Sequence, residues 1–121
     1  MHNRRTYILV AMMCLVSCKN DDVNIRKLLI GTWDVYASEM NNKSNGFMKD
    51  AWFTFSADNS VTSNLFSGNK SNKYNVENGR LTIDSQDKLD LKVVKIENDT
   101  MHLAGKVKIH FMEYYLSRRT D

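Results

Sequence analysis

The chain has 121 residues, with 17 lysines and arginines against 14 aspartates and glutamates and a formal net charge of +3. This length is enough for one small domain with a single hydrophobic core, but not for two. The small excess of positive charge gives little support for nucleic-acid binding, which needs basic residues clustered on one face. Because the sequence has no proline, its turns have to be made by asparagine, aspartate, serine and glycine.

Residues 1–17 have the layout of a secretory signal peptide. Arg4 and Arg5 precede an apolar run over residues 7–16, and a small residue, Ser17, precedes Cys18. A basic head, a short apolar middle and a small residue before the cleavage point are typical of such signals. The run is shorter than the roughly 20 residues that a membrane-spanning helix needs. The sequence Leu-Val-Ser-Cys that ends at Cys18 resembles a bacterial lipobox, which implies cleavage before Cys18 and attachment of lipid, such as palmitate, to its thiol.

A short polar segment, residues 18–22, is predicted to be the lipidated tether. Lys19 next to the modified cysteine, followed by Asp21 and Asp22, resembles the signal that sends lipoproteins of the Bacteroidota to the cell surface. We therefore expect lipid anchoring in the outer membrane with exposure at the surface, and a periplasm-facing anchor is the alternative. Cys14 lies inside the signal peptide, so the cleaved chain is predicted to have no disulfide.

The rest of the chain, residues 23–121, is predicted to be one β-rich domain. Residues 23–30 have apolar positions at helical spacing and predict a short helix that Gly31 ends. The alternation that begins at Trp33 predicts a first strand. Seven further strands are predicted over residues 52–55, 61–66, 73–76, 81–83, 89–96, 101–104 and 107–116.

The intervening segments are predicted to be turns and loops. Residues 41–46 are expected to form a polar loop without core residues. Asn78-Gly79 predicts a type I′ hairpin turn, because both central residues of that turn need positive φ. Eight short strands joined by turns favour an up-and-down antiparallel β-barrel, with a two-sheet sandwich as the alternative. Closure is favoured because it removes the exposed edge strands.

The last predicted strand has an ambiguous inner face. Two sets of apolar residues have opposite parity, namely Val107, Ile109 and Phe111 against Met112, Tyr114 and Leu116. A β-bulge between Phe111 and Met112 would bring both sets to the core side.

Several segments, in chain order, resemble those of lipocalin-like domains. They are Leu28-Leu29-Ile30-Gly31-Thr32-Trp33, Phe53-Thr54-Phe55, Asp58-Asn59-Ser60-Val61-Thr62, Gly79-Arg80-Leu81-Thr82-Ile83 and Tyr115-Leu116-Ser117-Arg118. The resemblance covers most of residues 25–118, although this chain is about a third shorter than full-length lipocalins. It implies an eight-stranded barrel that binds a small apolar ligand. It also implies that Trp33 stacks at the barrel base against Arg118 or, less favourably, Arg119.

No residue pattern predicts catalysis or a metal site. The cleaved chain has two histidines, His102 and His110. His110 and Glu113 could approach each other, but these two are better explained as solvent-facing strand residues. Asp84, Asp87 and Asp90 straddle a turn and are better explained as solvated turn residues than as a paired acid and base. A nucleophile elbow and a glycine-rich phosphate loop are both missing from the sequence. We therefore expect a protein without enzymatic activity and without a cofactor.

The aromatic residues are the candidates for ligand binding. The predicted set is Trp52, Phe47, Phe53, Phe55, Tyr74 and Phe66. The alternative is that they fill the barrel, and a filled core is favoured because the strands are short and the inward side chains bulky. Any cavity is then expected at or below the low end of the usual range of about 300–1,000 Å³. It should open opposite the helix, near residues 41–50, with Trp52 or Phe47 at its rim.

Two functions follow from these patterns. The first is an outer-membrane lipoprotein that binds a small apolar ligand. The second is a lipoprotein with a filled barrel that binds another protein, as an accessory subunit or an inhibitor.

Overall fold

The computed structural model describes residues 21–46, residue 48 and residues 50–120. The predicted signal peptide, Cys18 and most of the predicted tether lie outside the described residues, as does Phe47. Within the described ranges, no helix is long and apolar enough to cross a membrane.

The described chain folds into one antiparallel sheet that closes on itself. Its strands are β1 (Gly31–Met40), β2 (Lys43–Asn45), β3 (Trp52–Phe55), β4 (Ser60–Ser63), β5 (Asn72–Glu77), β6 (Arg80–Ile83), β7 (Leu89–Ile96), β8 (Thr100–Val107) and β9 (His110–Arg118). Neighbouring strands pair in the order β2-β1-β3-β4-β5-β6-β7-β8-β9, and pairing of β1 with β9 closes the barrel. The prediction of an up-and-down antiparallel barrel is confirmed.

Nine strands occupy eight positions around this barrel. The first half of β1 pairs with β3, through Gly31 to Asp34, and the second half pairs with β2, through Ser38 to Met40. β2 and β3 therefore share one position along the same edge of β1. The predicted loop over residues 41–46 is in fact a tight β1–β2 hairpin, because Asn41 and Asn42 both accept positive φ, at 52° and 68°.

The end of the chain differs from the prediction of a single strand over residues 107–116. β8 ends at Val107 and β9 begins at His110, with Lys108 in the turn at φ 59°. This turn resets the parity, so Met112 faces inward while Phe111 faces outward and is 39% exposed. β8 and β9 pair without interruption across Phe111 and Met112, so the predicted bulge there is wrong. Register shifts occur instead in β1, between Val35 and Ala37, and in β7, between Val93 and Lys95.

A helix over residues 21–29 closes one end of the barrel, which we call the base. The β5–β6 turn at this end has positive φ at Asn78 and Gly79, 54° and 73°, as predicted. The Asp22 carboxylate accepts hydrogen bonds from both backbone amides of this turn, each at 2.8 Å. Arg26 donates to the carbonyl of Val76, which lies near the end of β5, two residues before the turn. The helix is thereby fixed to the turn by its polar side, while its apolar side faces the core.

The barrel contains its own hydrophobic core. All apolar residues buried in the described chain lie between Ile25 and Leu116, and Leu29 from the helix is completely buried. The largest fully buried side chains are Trp33 and Phe55, followed by the leucines Leu29, Leu81, Leu91 and Leu116. Because the helix, the closing strand pair and the whole core lie in this segment, the chain from Lys19 onward has what it needs to fold on its own.

Candidate ligand cavity

The closed end of the barrel is built around Trp33. Its ring is fully buried and its Nε1 donates to the Leu29 carbonyl at 2.9 Å. The Arg118 guanidinium carbon lies 4.3 Å from the centroid of this ring, within cation–π range. Arg118 also donates to the carbonyls of Leu28, Ile30 and Asn98. These contacts join the helix, β1 and the β7–β8 turn into one plug.

Arg119, the less favoured partner of Trp33, has a different position. Its guanidinium bonds to the Asp34 carboxylate at 2.5 and 3.0 Å. Both partners are about two-fifths exposed. The hydrogen bonds from Arg119 hold the pKa of Asp34 below its ordinary value. Arg119 thus ties β1 to the chain end from the outer side.

The opposite end of the barrel, the mouth, opens into a cavity of about 570 Å³. Its position near Met40 and Met48 agrees with the predicted opening, but its volume is larger than predicted. Apolar residues form most of the lining: Met40, Met48, Phe53, Phe55, Leu65, Phe66, Leu81, Ile83, Leu89, Leu91, Leu103, Val107 and Met112. The interior is therefore not filled by side chains, and leucine and methionine line more of it than aromatic rings do.

Three of the predicted ligand residues come together in this cavity. Phe53 and Phe55 are stacked with ring centroids 6.2 Å apart, and Phe66 meets Phe53 edge-on at 6.3 Å. Phe53 and Phe55 are buried and lie two positions apart on β3, so they share its inner face. These rings form one wall of the cavity.

The other predicted ligand residues are not part of this wall. Trp52 has the opposite parity to Phe53 on β3 and does not line the cavity. Tyr74 is buried against Phe55, with centroids 5.1 Å apart, and its hydroxyl donates to the Ser56 carbonyl. Tyr74 therefore packs behind the wall, and burial raises its pKa. Phe47 lies outside the described residues.

Polar groups are concentrated at the mouth. Lys70, Lys108, His110 and Asp87 line the cavity there, together with neutral side chains. His110 Nδ1 lies 3.1 Å from the Asn41 amide nitrogen, so the imidazole is part of the β1–β9 contact. On the wall, Tyr114 supplies a hydroxyl; burial raises the pKa of this phenol, so it stays neutral.

Sequence reasoning missed the polar residues at the mouth and the aliphatic residues of the interior. Leu81, Ile83, Leu91 and Leu103 line the cavity, and each lies at an alternate position of a predicted strand. Their alternation was visible in the sequence. Selecting residues by aromaticity, and not by parity, left them out.

One histidine–carboxylate pair is present, but on the outer wall. His102 Nε2 lies 3.1 Å from Glu113 Oε1. The sequence suggested His110 as a possible neighbour of Glu113, but the histidine in contact with Glu113 is His102. His102 also stacks on Tyr115 with ring centroids 4.3 Å apart. Among the described residues, no group of three or more histidine, cysteine or acidic side chains could hold a metal ion.

Neither a protein-family model nor a curated protein matches this chain. A solved structure, a lipocalin-like protein from Bacteroides uniformis ATCC 8492, is similar with a TM-score of 0.58 at 12% sequence identity. The match covers 76% of this chain and 99% of that protein's chain. At this identity the match bears on the fold alone. The closed antiparallel barrel of eight positions, its base helix and this similarity together show that the chain has a lipocalin-like fold.

Proposed function

We propose that this protein is a lipoprotein of the outer membrane that binds a small apolar ligand in its barrel cavity and catalyses no reaction. The observation that carries the binding proposal is the open cavity of about 570 Å³ with a mostly apolar lining. Its volume lies within the range of about 300–1,000 Å³ that is typical of small-molecule sites. Burial of ligand surface there would contribute about 25 cal/mol per Å².

The lining supports binding over catalysis. His110 is the histidine that lines the cavity, and its Nδ1 is engaged with Asn41. The His102–Glu113 pair, the arrangement closest to a general base, lies on the outside of the barrel. A bound ligand would therefore meet a wall of Phe53 and Phe55 and a neutral phenol.

The anchoring part of the proposal is supported by sequence alone. Ser17-Cys18 ends a segment with the order of a lipoprotein signal, and Lys19 with Asp21 and Asp22 resembles a surface-export signal. Surface display is favoured over a periplasm-facing anchor for that reason.

Binding is tested by titrating the chain from Lys19 onward with a neutral hydrophobic dye, Nile red. The dye's own emission should be followed, because neither Trp33 nor Trp52 lines the cavity. We expect saturable one-to-one binding at about micromolar dissociation constant or tighter.

A pair of variants that each introduce a phenylalanine locates the bound dye. Leu103→Phe adds bulk at a buried cavity-lining position and should weaken dye binding several-fold. Val94→Phe adds the same kind of bulk at an outer position that is 46% exposed, and should leave binding unchanged. Equal affinity of both variants and the parent chain, or no saturable binding at all, would contradict the cavity as a ligand site.

A second function, protein binding, is favoured by one feature of the outer wall. Tyr36 is 60% exposed, an unusual position for a large ring, and lies beside Tyr115 with centroids 6.4 Å apart. An exposed aromatic cluster of this kind is typical of interaction surfaces. Co-purification of a membrane partner in mild detergent, lost in Tyr36→Ser and retained in Val94→Ser, would support it.

A further inference from the structure

Two lysines at the mouth of the cavity have no charged partner among the residues that the structure describes. Lys70 follows the short 3₁₀ segment Ser67–Asn69 between β4 and β5, and Lys108 lies in the β8–β9 turn. Both line the cavity. In the described part of the chain, neither lysine forms an ion pair or a hydrogen bond. Both ammonium groups are therefore available to a ligand.

The negative charge at the mouth does not neutralise the charges of the two lysines. Asp87 is the acidic residue that lines the cavity, and within the described residues its carboxylate forms no ion pair with Lys70 or Lys108. Ser85 donates to the Asp87 backbone carbonyl, not to its side chain. Two lysines against one aspartate leave the mouth with an excess of positive charge.

The interior has the opposite character. Below the mouth the lining consists mainly of aliphatic, methionine and phenylalanine side chains, with Tyr114 on the wall as a neutral phenol. An ionised group buried there without a partner would cost far more than the apolar contacts return. A charged ligand group can therefore stay only at the mouth, in contact with water.

We propose that the cavity selects single-chain amphiphiles with an anionic head group. The hydrocarbon tail occupies the apolar interior, and the carboxylate, sulfate or phosphate head is held at the mouth by Lys70 and Lys108. This inference rests on the proposed ligand binding and adds the chemical class of the ligand. Among amphiphiles with tails of similar length, those with an anionic head group should bind more tightly than those with a neutral or cationic one.

The test uses three ligands that each have a straight chain of ten carbons: decanoate, decan-1-ol and decyltrimethylammonium. Each displaces Nile red from the chain from Lys19 onward, at concentrations below micelle formation and at low salt. We expect decanoate to bind about tenfold more tightly than the alcohol, and the ammonium compound to bind most weakly. At about 1 M salt the difference should shrink, because charges near the surface are screened within about 3 Å.

A charge-matched pair of double variants assigns the selectivity to the mouth. Lys70→Gln with Lys108→Gln should bring decanoate to within about twofold of decan-1-ol. Lys27→Gln with Lys92→Gln removes the same charge from two exposed lysines that do not line the cavity, and should keep the tenfold preference.

The outcomes separate this inference from the proposed function. Equal binding of the three ligands, or the same loss of preference in both double variants, would overturn the selectivity while leaving ligand binding intact. Binding of none of the three, and of no Nile red, would overturn the proposed function itself. Circular dichroism of each variant shows that the barrel is still folded.

Discussion

A Cβ atom placed on Gly31 would lie 2.6 Å from Nη1 of Arg118. Gly31 also has φ +130°, a backbone conformation that favours glycine. The missing side chain leaves room for the guanidinium that covers Trp33 and binds the Ile30 carbonyl. The spacing Gly-x-Trp thus has a physical reason in this barrel: the glycine makes space for the arginine that caps the tryptophan.

Gly31→Ala is therefore expected to destabilise the barrel by about 2 kcal/mol or more, from backbone strain and displacement of Arg118. The free energy of unfolding from urea titration measures it. Gly46→Ala is the control, because a Cβ there meets nothing within 4 Å. Equal unfolding midpoints for the two variants would show that the contact contributes nothing.

Removal of the Asp22 carboxylate should loosen the base helix. Asp22→Ala leaves the amides of Asn78 and Gly79 without their two charged acceptors. For this partly buried contact we expect a loss of about 1–2 kcal/mol, which lowers the melting temperature by several degrees in a domain of this size. Asp21→Ala, at an exposed neighbouring position, should melt like the parent chain. Identical melting of both variants would argue against the clamp.

The Asp34–Arg119 pair should give a pH-dependent contribution to stability. Because Arg119 lowers the folded-state pKa of Asp34 below its ordinary value of 3.8, the contribution is complete above 3.8. It disappears as the pH falls through the lowered folded-state pKa. Since both side chains are well exposed, Asp34→Asn should cost only about 0.5–1 kcal/mol at neutral pH. Parallel urea titrations of parent and variant from pH 7 to pH 2 should converge at the acid end; a constant gap would contradict the ion-pair explanation.

Replacement of Cys18 tests the anchor. Cys18→Ala should abolish incorporation of labelled palmitate and leave an uncleaved precursor, because the thiol to be acylated is gone. Acyl chains contribute about 0.8 kcal/mol of membrane affinity per buried CH₂. A chain that begins at Lys19, with neither the signal peptide nor the acylated cysteine, should therefore not stay bound to the membrane. Cys14→Ala is the matched control and should label normally. Continued labelling of the Cys18 variant would disprove the lipobox interpretation.

Alternation and turn chemistry predicted much of the fold. β3 and β7 have the predicted limits, and the Asn78-Gly79 turn has the predicted positive φ values. The β8–β9 turn could not be predicted in this way, because Lys108 takes positive φ where glycine or asparagine is usual. Gly105 falls between the predicted strands 101–104 and 107–116, but it lies inside β8, where a Cβ would meet the Asp90 carbonyl oxygen at 2.8 Å. That glycine reflects close packing of neighbouring strands.

The candidate site was predictable only in part. Phe53 and Phe55 were identified correctly as inward residues, whereas Trp52, one position away, faces the other side of the strand. All three are aromatic, so residue type does not distinguish the inward residues from Trp52, whereas their alternating positions along the strand do. The division of the β1 edge between β2 and β3 was not predicted either, because it depends on the pairing register of three strands and not on any single residue.

The clamp between Asp22 and the β5–β6 turn has a consequence for orientation. Cys18 is four residues from Asp22, and a fully extended chain spans at most about 3.6 Å per residue. If Cys18 carries lipid, the closed end of the barrel is held within about 15 Å of the acyl chains. The opening then lies at the end of the barrel that is farther from the attachment point. The contents of the cavity would exchange with the aqueous space or with an opposing surface, and not with the lipids to which the protein is attached.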